Sequence, residues 1–166
     1  ASMSAGNVEA VIGRAPEFYG PGKTQSLTNS AVFTRIKAGN RPFVPLNART
    51  LRSLIWTPDA SRALALLGNS ADAFGQTWHL PIDPDRRTYA DLIQIASEVT
   101  GHTIGYTVLP RLAFRLGGLV NPAVKESEEL LPRYAENNLF DSSKFTDRFP
   151  DFRATTYNEG ITALLS

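Results

Sequence analysis

The chain has no cysteine and two histidines among 166 residues. Thiolate chemistry is therefore excluded, and His79 and His102 cannot build a His-rich metal site. Glu126, Glu128 and Glu129 are dense enough to suggest a cation site. They lack His or Asp at ligand spacing and are expected to form a solvated helix face, so no metal is expected. No Gly-x-Gly-x-x-Gly follows a strand, and neither a Gly-x-x-x-x-Gly-Lys loop nor a Gly-x-Ser-x-Gly elbow occurs. The densest remaining chemistry is Arg14-Ala15-Pro16-Glu17-Phe18-Tyr19-Gly20-Pro21-Gly22. An apolar run from Val8 to Ile12 leads into it, and open α/β sheets place ligands in the crevice beyond such strand ends. On residue types alone Arg14 stands open between capping sheet carbonyls, pairing with an acid and a site role. Glu17 stands open between a partner for Arg14 or a lysine and a ligand contact.

Those residues need elements to hold them. Val8 to Ile12 reads as a buried strand. Ser26 or Thr28 can cap a helix that carries Ala31, Val32, Phe33 and Ile36 and closes at Gly39. Arg41 to Leu46 suits a proline-interrupted edge segment, and Leu51 to Trp56 reads as a strand with Arg52 near its entry. Thr57-Pro58-Asp59 combines an N-cap, a proline at the first helical position and a charge that favours the helix dipole. That helix should stop at Gly68-Asn69.

Gln76 to Leu80 reads as a strand in which Trp78 is core and His79 a satisfied histidine. Thr88 with Asp91 forms a capping-box pattern for a helix running to Gly101. Thr103 to Leu109 is expected as a strand, Pro110 as a helix start, and Asn121-Pro122 as another. Leu139 to Asp141 is expected as a short strand, Ser142 to Phe149 as a helix, and Thr156 to Leu165 as the last amphipathic helix. A few strands alternating with about six helices argue an α/β fold.

Composition narrows the partners. Hydrophobic residues make up 42%, charged residues 20%, and the formal net charge is +1. Scattered Lys and Arg leave no electrostatic footprint for nucleic acid. No apolar run reaches the roughly 20 residues of a membrane span, so no membrane partner is expected. Zero cysteines fit a reducing cytoplasm, the expected location. Ala1 to Gly6 reads as the last turn of a helix entered without a cap, as in a fragment.

Two segments carry a family resemblance. Arg14 to Gly22 resembles the Arg-Pro-x-Asn-x-Tyr-Gly-Pro segment of extended short-chain dehydrogenases/reductases, the NAD-dependent epimerase/dehydratase family. Arg52-Ser53-Leu54-Ile55-Trp56-Thr57-Pro58-Asp59 resembles that family's Arg-Asp-x-Ile-x-Val-x-Asp junction. Gly75 to Pro81 and Asp141 to Phe145 are similar to uncharacterised epimerase-like members. The resemblance implies that residues 1–166 form the C-terminal, substrate-binding portion of a Rossmann-type protein. The dinucleotide loop and the catalytic Tyr and Lys would lie upstream, and no catalytic residue is expected within the chain.

By the same resemblance, Ala15 and Pro16 would lie against the nicotinamide of NAD or NADP, and Glu17, Phe18, Tyr19 and Arg52 would shape the substrate pocket. Relatives use Arg at the position of Arg52 on a nucleotide phosphate, a task suited to its planar fork. Glu17 replaces their Asn, and a carboxylate there repels a pyrophosphate. Read without the family, Arg52 is a surface residue, Tyr19 a packing and hydrogen-bonding anchor, and Asp59 a helix-start charge.

Two functions follow. One is an epimerase/dehydratase or reductase acting on a small hydroxyl- or carbonyl-bearing, sugar-like substrate, inactive in this segment alone. The other is a non-catalytic NAD(P)-binding sensor or interaction domain of the same fold. An independently folded structural domain is a third reading. A sheet cut from a larger one should self-associate or form a homodimer through its open edge.

Overall fold

A computed structural model describes residues 9–22, 24, 26–119, 124–125 and 128–166. The readings at Ala1 to Gly6 and Asn121-Pro122, along with Val8 and Glu126, lie outside the described residues. Eight short strands and seven α-helices follow one another as an α/β arrangement among those described. Three strand pairs are parallel: β1 (Ile12–Arg14) with β6 (Thr77–His79), β2 (Glu17–Tyr19) with β5 (Leu54–Trp56), and β3 (Phe43–Pro45) with β8 (Thr107–Leu109). The antiparallel pair joins β4 (Leu51–Arg52) to β7 (Arg87–Thr88). No described helix is long and apolar enough to cross a membrane.

Helix boundaries follow local chemistry. Ser26 Oγ accepts from the Asn29 backbone at 3.0 Å and opens a helical stretch in which Asn29–Phe33 is a π-turn leading into α1 (Thr34–Lys37). α1 gives way to Gly39 at φ 70°, a conformation that glycine adopts without a Cβ penalty. α2 (Thr57–Gly68) starts one residue earlier than expected, with Trp56 as its N-cap. Thr57 is inside the helix because its hydroxyl donates instead to the Tyr19 carbonyl at 3.0 Å.

The expected capping box closes completely, and the structure adds a second. Thr88 and Asp91 open α3 (Tyr89–Thr100), and Thr156 and Glu159 open the C-terminal helix (Tyr157–Leu165). Between them run α4 (Arg111–Gly118), α5 (Pro132–Ala135) and α6 (Ser143–Arg148), so the C-terminal helix is α7.

Two corrections concern strands. The first strand is displaced toward the loop, so Arg14 belongs to β1 and Ile12 is 47% exposed. β1 pairs only with β6 among the described residues, which leaves Ile12 without cover. Leu139 to Asp141 forms no strand: its neighbour Asn138 makes a single parallel bridge to Arg52, and Phe140 instead stacks on His79 with ring centroids 4.3 Å apart.

β5 divides the interior, because successive strand side chains point to opposite faces. Leu54 joins a core with Val32, Phe33, Val44, Tyr89, Leu92 and Ile161. Ile55 joins another with Ala63, Leu67, Trp78, Leu80 and Phe145. The first core carries the polar residues on which the candidate site is built.

Candidate functional site

β2 sorts the resemblance-bearing residues by alternation. Glu17 and Tyr19 point into the first core, whereas Phe18 points away and is 37% exposed. Gly20 follows at φ 137°, and a Cβ there would meet the Trp56 ring at 3.0 Å, so glycine permits this exit from the strand. Pro16 is buried and Ala15 half-buried, packed against the second core.

Glu17, 8% exposed, is the centre of a polar node. Its Oε1 accepts from the Ser26 hydroxyl at 3.2 Å, the Thr28 backbone amide at 2.9 Å and the Tyr134 hydroxyl at 2.9 Å. Its Oε2 has no hydrogen-bond partner among the described residues and faces the Arg52 guanidinium at 3.8 Å. Arg52 is 1% exposed. One of its terminal nitrogens donates to the Arg133 carbonyl at 2.6 Å, and the guanidinium lies over the Tyr134 ring at 4.8 Å and the Tyr89 ring at 5.6 Å. The Tyr89 hydroxyl shares a 2.5 Å hydrogen bond with Thr28 Oγ1. The node thus ties together β2, the start of the π-turn helix, β4, α3 and α5.

Its phenols are held protonated. Burial, and then the nearby Glu17 carboxylate, push the hydroxyls of Tyr89 and Tyr134 far above the ordinary tyrosine range. Burial and the Tyr157 phenol do the same to Tyr19. Tyr157 is pushed up to about 12, mainly by burial, and its hydroxyl accepts from the Leu54 amide at 3.1 Å. In this arrangement Glu17 and Arg52 compensate each other's charge away from solvent, as buried ions require.

The structure therefore brings Glu17 and Arg52 together, sets Tyr19 beside them on the same face of β2 and turns Phe18 to the opposite side. The partner of Glu17 is Arg52 rather than Arg14 or a lysine, because Arg14 sits exposed on β1. The surface reading of Arg52 is corrected by its burial. Tyr19 packs as an anchor, with its ring centroid 5.1 Å from Trp56 and 5.5 Å from Phe33, but its hydroxyl has no hydrogen-bond partner among the described residues. Asp59 is more than a helix-start charge: it accepts from Arg62 at 2.7 Å and from the Thr155 amide at 2.6 Å. His79 is satisfied through Nδ1, 2.7 Å from the Asp141 carbonyl.

Tyr134, Tyr89, Ser26 and Thr28 are the members that sequence reasoning missed. A buried carboxylate demands donors, which is the one signal available in advance. Tyr134 lies 117 positions from Glu17, and nothing local marks it.

No family model matches the chain. The uncharacterized protein y4nL of Sinorhizobium fredii is 32% identical over 124 residues, which cover 74% of this chain and 33% of that protein. Among solved structures, epimerase Mth375 of Methanothermobacter thermautotrophicus superposes over 99% of this chain and 44% of its own, with TM-score 0.71 and 16% identity. UDP-glucose 4-epimerase of Thermotoga maritima, with UDP-glucose, gives TM-score 0.70 at 15% identity over 99% of this chain and 47% of its own. UDP-glucuronic acid 4-epimerase of Bacillus cereus, in complex with UDP-glucuronic acid and NAD, gives 0.68 at 13% over 93% and 43%. The chain spans a third of the curated relative and under half of each of these structures. Its fold is that of the C-terminal part of the NAD-dependent epimerases/dehydratases, the extended short-chain dehydrogenases/reductases.

Proposed function

We propose that these residues form the substrate-binding part of an NAD(P)-dependent epimerase/dehydratase or reductase whose substrate is a small hydroxyl- or carbonyl-bearing molecule lacking a diphosphate. The Arg52–Glu17 pair carries this reading. A guanidinium that faces a resident carboxylate and donates to the Arg133 carbonyl has little left to offer a phosphate. The fold supports the epimerase/dehydratase class, and the NAD held by the Bacillus cereus neighbour supports the cofactor.

Ala15 and Pro16 suit the cofactor role. They sit between β1 and β2, Ala15 half-buried and Pro16 buried behind it, so a flat nicotinamide lying there would meet a rigid stretch with no bulky side chain. When bound, the nicotinamide accepts or supplies hydride. Phe18 and the loop to Gly22 would wall the substrate side, while Glu17 acts through Arg52 by cancelling its charge. A non-catalytic sensor of the same fold is the second reading, favoured by the same inward turn of Glu17 and Arg52.

Calorimetric titration of the full-length protein with NAD and NADP, followed by nicotinamide absorbance with candidate hydroxy and keto substrates, tests the proposal. Cofactor binding and hydride transfer by the full-length protein, with none by the 166-residue chain, are expected. A full-length protein that binds neither cofactor overturns it, and cofactor binding without any turnover selects the sensor.

A further inference from the structure

Glu17 follows Pro16 directly, so whatever holds its carboxylate also steadies the Ala15–Pro16 stretch. The chain leaves β2 at Gly20 and comes back to it at Ser26, where both ends of the intervening loop are tied together. Glu17 Oε1 accepts from the Ser26 hydroxyl at 3.2 Å and from the Thr28 amide at 2.9 Å, and the Gly20 amide donates to Asn29 Oδ1 at 3.0 Å. The Thr57 hydroxyl fixes the near end by donating to the Tyr19 carbonyl at 3.0 Å. On the other side of residues 26–28 lies only hydrocarbon: Leu27, Phe43, Leu109 and Ala113 border an apolar groove of about 280 Å³. The polar grip on the loop therefore comes from the Glu17 side.

This clasp has one member from a distant element. Tyr134, 1% exposed in α5, donates its hydroxyl to the same Oε1 at 2.9 Å. A carboxylate suits the post because it only accepts, and it can take donors from several segments at one point. The Tyr134 ring also lies against the Arg52 guanidinium at 4.8 Å, so one side chain bonds the carboxylate and seats its counter-ion. Such precision matters beside a reacting centre, where a misplacement of about 1 Å costs roughly 100-fold in rate.

We propose that Tyr134 is a positioning residue for the Ala15–Pro16 stretch and for the loop that walls the substrate side, acting through the Glu17 carboxylate. The proposal rests on the substrate-binding role assigned above and names what keeps that site in shape. With the hydroxyl gone, the guanidinium 3.8 Å away is the strongest remaining pull on Glu17. A carboxylate that turns toward it loosens its hold on Ser26 and Thr28, and the loop opens from its far end.

The test follows hydrogen–deuterium exchange over residues 15–28 and NADH binding by fluorescence titration, both on the full-length protein. Tyr134→Phe keeps the ring under Arg52 and removes only the hydroxyl, while Ile95→Val removes one methylene from the same core and serves as the comparison. Tyr134→Phe should speed exchange over residues 15–28 and weaken NADH about tenfold, and Ile95→Val should do neither. In a Glu17→Leu, Arg52→Met background, where no carboxylate remains to be held, Tyr134→Phe should change neither quantity. Unchanged exchange in Tyr134→Phe, the same change in Ile95→Val, or a full effect in that background overturns the proposal. If Tyr134→Phe does not fold, the unmodified protein decides: residues 15–28 and 132–135 should open as one unit as urea is raised, and separate opening overturns the proposal. Faster exchange in Tyr134→Phe with no NADH binding by the unmodified protein sinks the enzymatic reading alone. NADH binding that Tyr134→Phe leaves unweakened sinks this proposal alone.

Discussion

The helical stretch 27–37 separates two spaces of opposite character. On one side Glu17, Arg52, Tyr89, Tyr134 and Thr28 fill the volume with charge and hydroxyls bonded to one another. On the other, aliphatic and aromatic side chains leave about 280 Å³ unfilled. The polar side is packed tightly around its charges because a buried ion stripped of its partner costs several kcal/mol. The apolar side can stay open, since a cavity costs only the contacts that its lining forgoes. Bonded charge lies on one side, and unfilled space between hydrocarbons on the other.

Alkaline pH should break the contrast most completely. The folded-state values of Tyr89 and Tyr134 lie above the ordinary value of 10.0, and that of Tyr157 reaches about 12. An acid whose folded value is raised contributes stability that is fully present below its unfolded value and is lost as pH climbs through the folded one. Tyrosinate absorbance should therefore lag between pH 10 and about 12 and then rise together with loss of the circular dichroism signal. Phenols that titrate near pH 10 while the fold persists would show that the node is open to water.

Removing one ion comes next. Arg52→Ala strands the Glu17 carboxylate and should cost about 3–5 kcal/mol in urea denaturation. Arg52→Met combined with Glu17→Leu should recover most of that loss, and failure to recover would mean that Arg52 acts through its carbonyl contacts instead. Tyr134→Phe deletes one of the donors to Glu17 and should cost about 1–3 kcal/mol. Thr88→Ala opens the capping box of α3 and should cost about 1 kcal/mol, with the node itself intact. On the apolar side Ala113→Leu should change the melting temperature least of all, and a large loss there would indicate a cavity already filled.

Much of this contrast was legible in the residues, though unevenly. Thr88 with Asp91 announces its helix because capping chemistry is local. The Arg14 to Gly22 and Arg52 to Asp59 segments announce the fold. The strand at Val8 to Ile12 was misplaced because hydrophobicity marks burial in a core, whereas β1 is set by pairing with Thr77 to His79 some 65 positions away. For Glu17 and Arg52 the residue types were readable and their union was not. Contact across 35 positions depends on how β2 and β5 align, and Phe18 and Ile55 set that register only once the strands have met. The cavity was unreadable, since an unfilled volume is a property of the packing and leaves no mark on any one residue.

The Tyr157 hydroxyl carries one more consequence. It accepts from the Leu54 amide at 3.1 Å and lies 3.4 Å from the Arg52 carbonyl, bridging the interruption between β4 and β5 from a helix more than 100 positions later. During synthesis β4 and β5 leave the ribosome long before that hydroxyl does. Until α7 docks, water must serve the Leu54 amide, and the interruption between β4 and β5 stays unbridged. Domains whose closing contacts are this distant in sequence fold late and expose sticky intermediates. For this chain, the interval before α7 docks is the one in which the β4–β5 junction lies open to solvent.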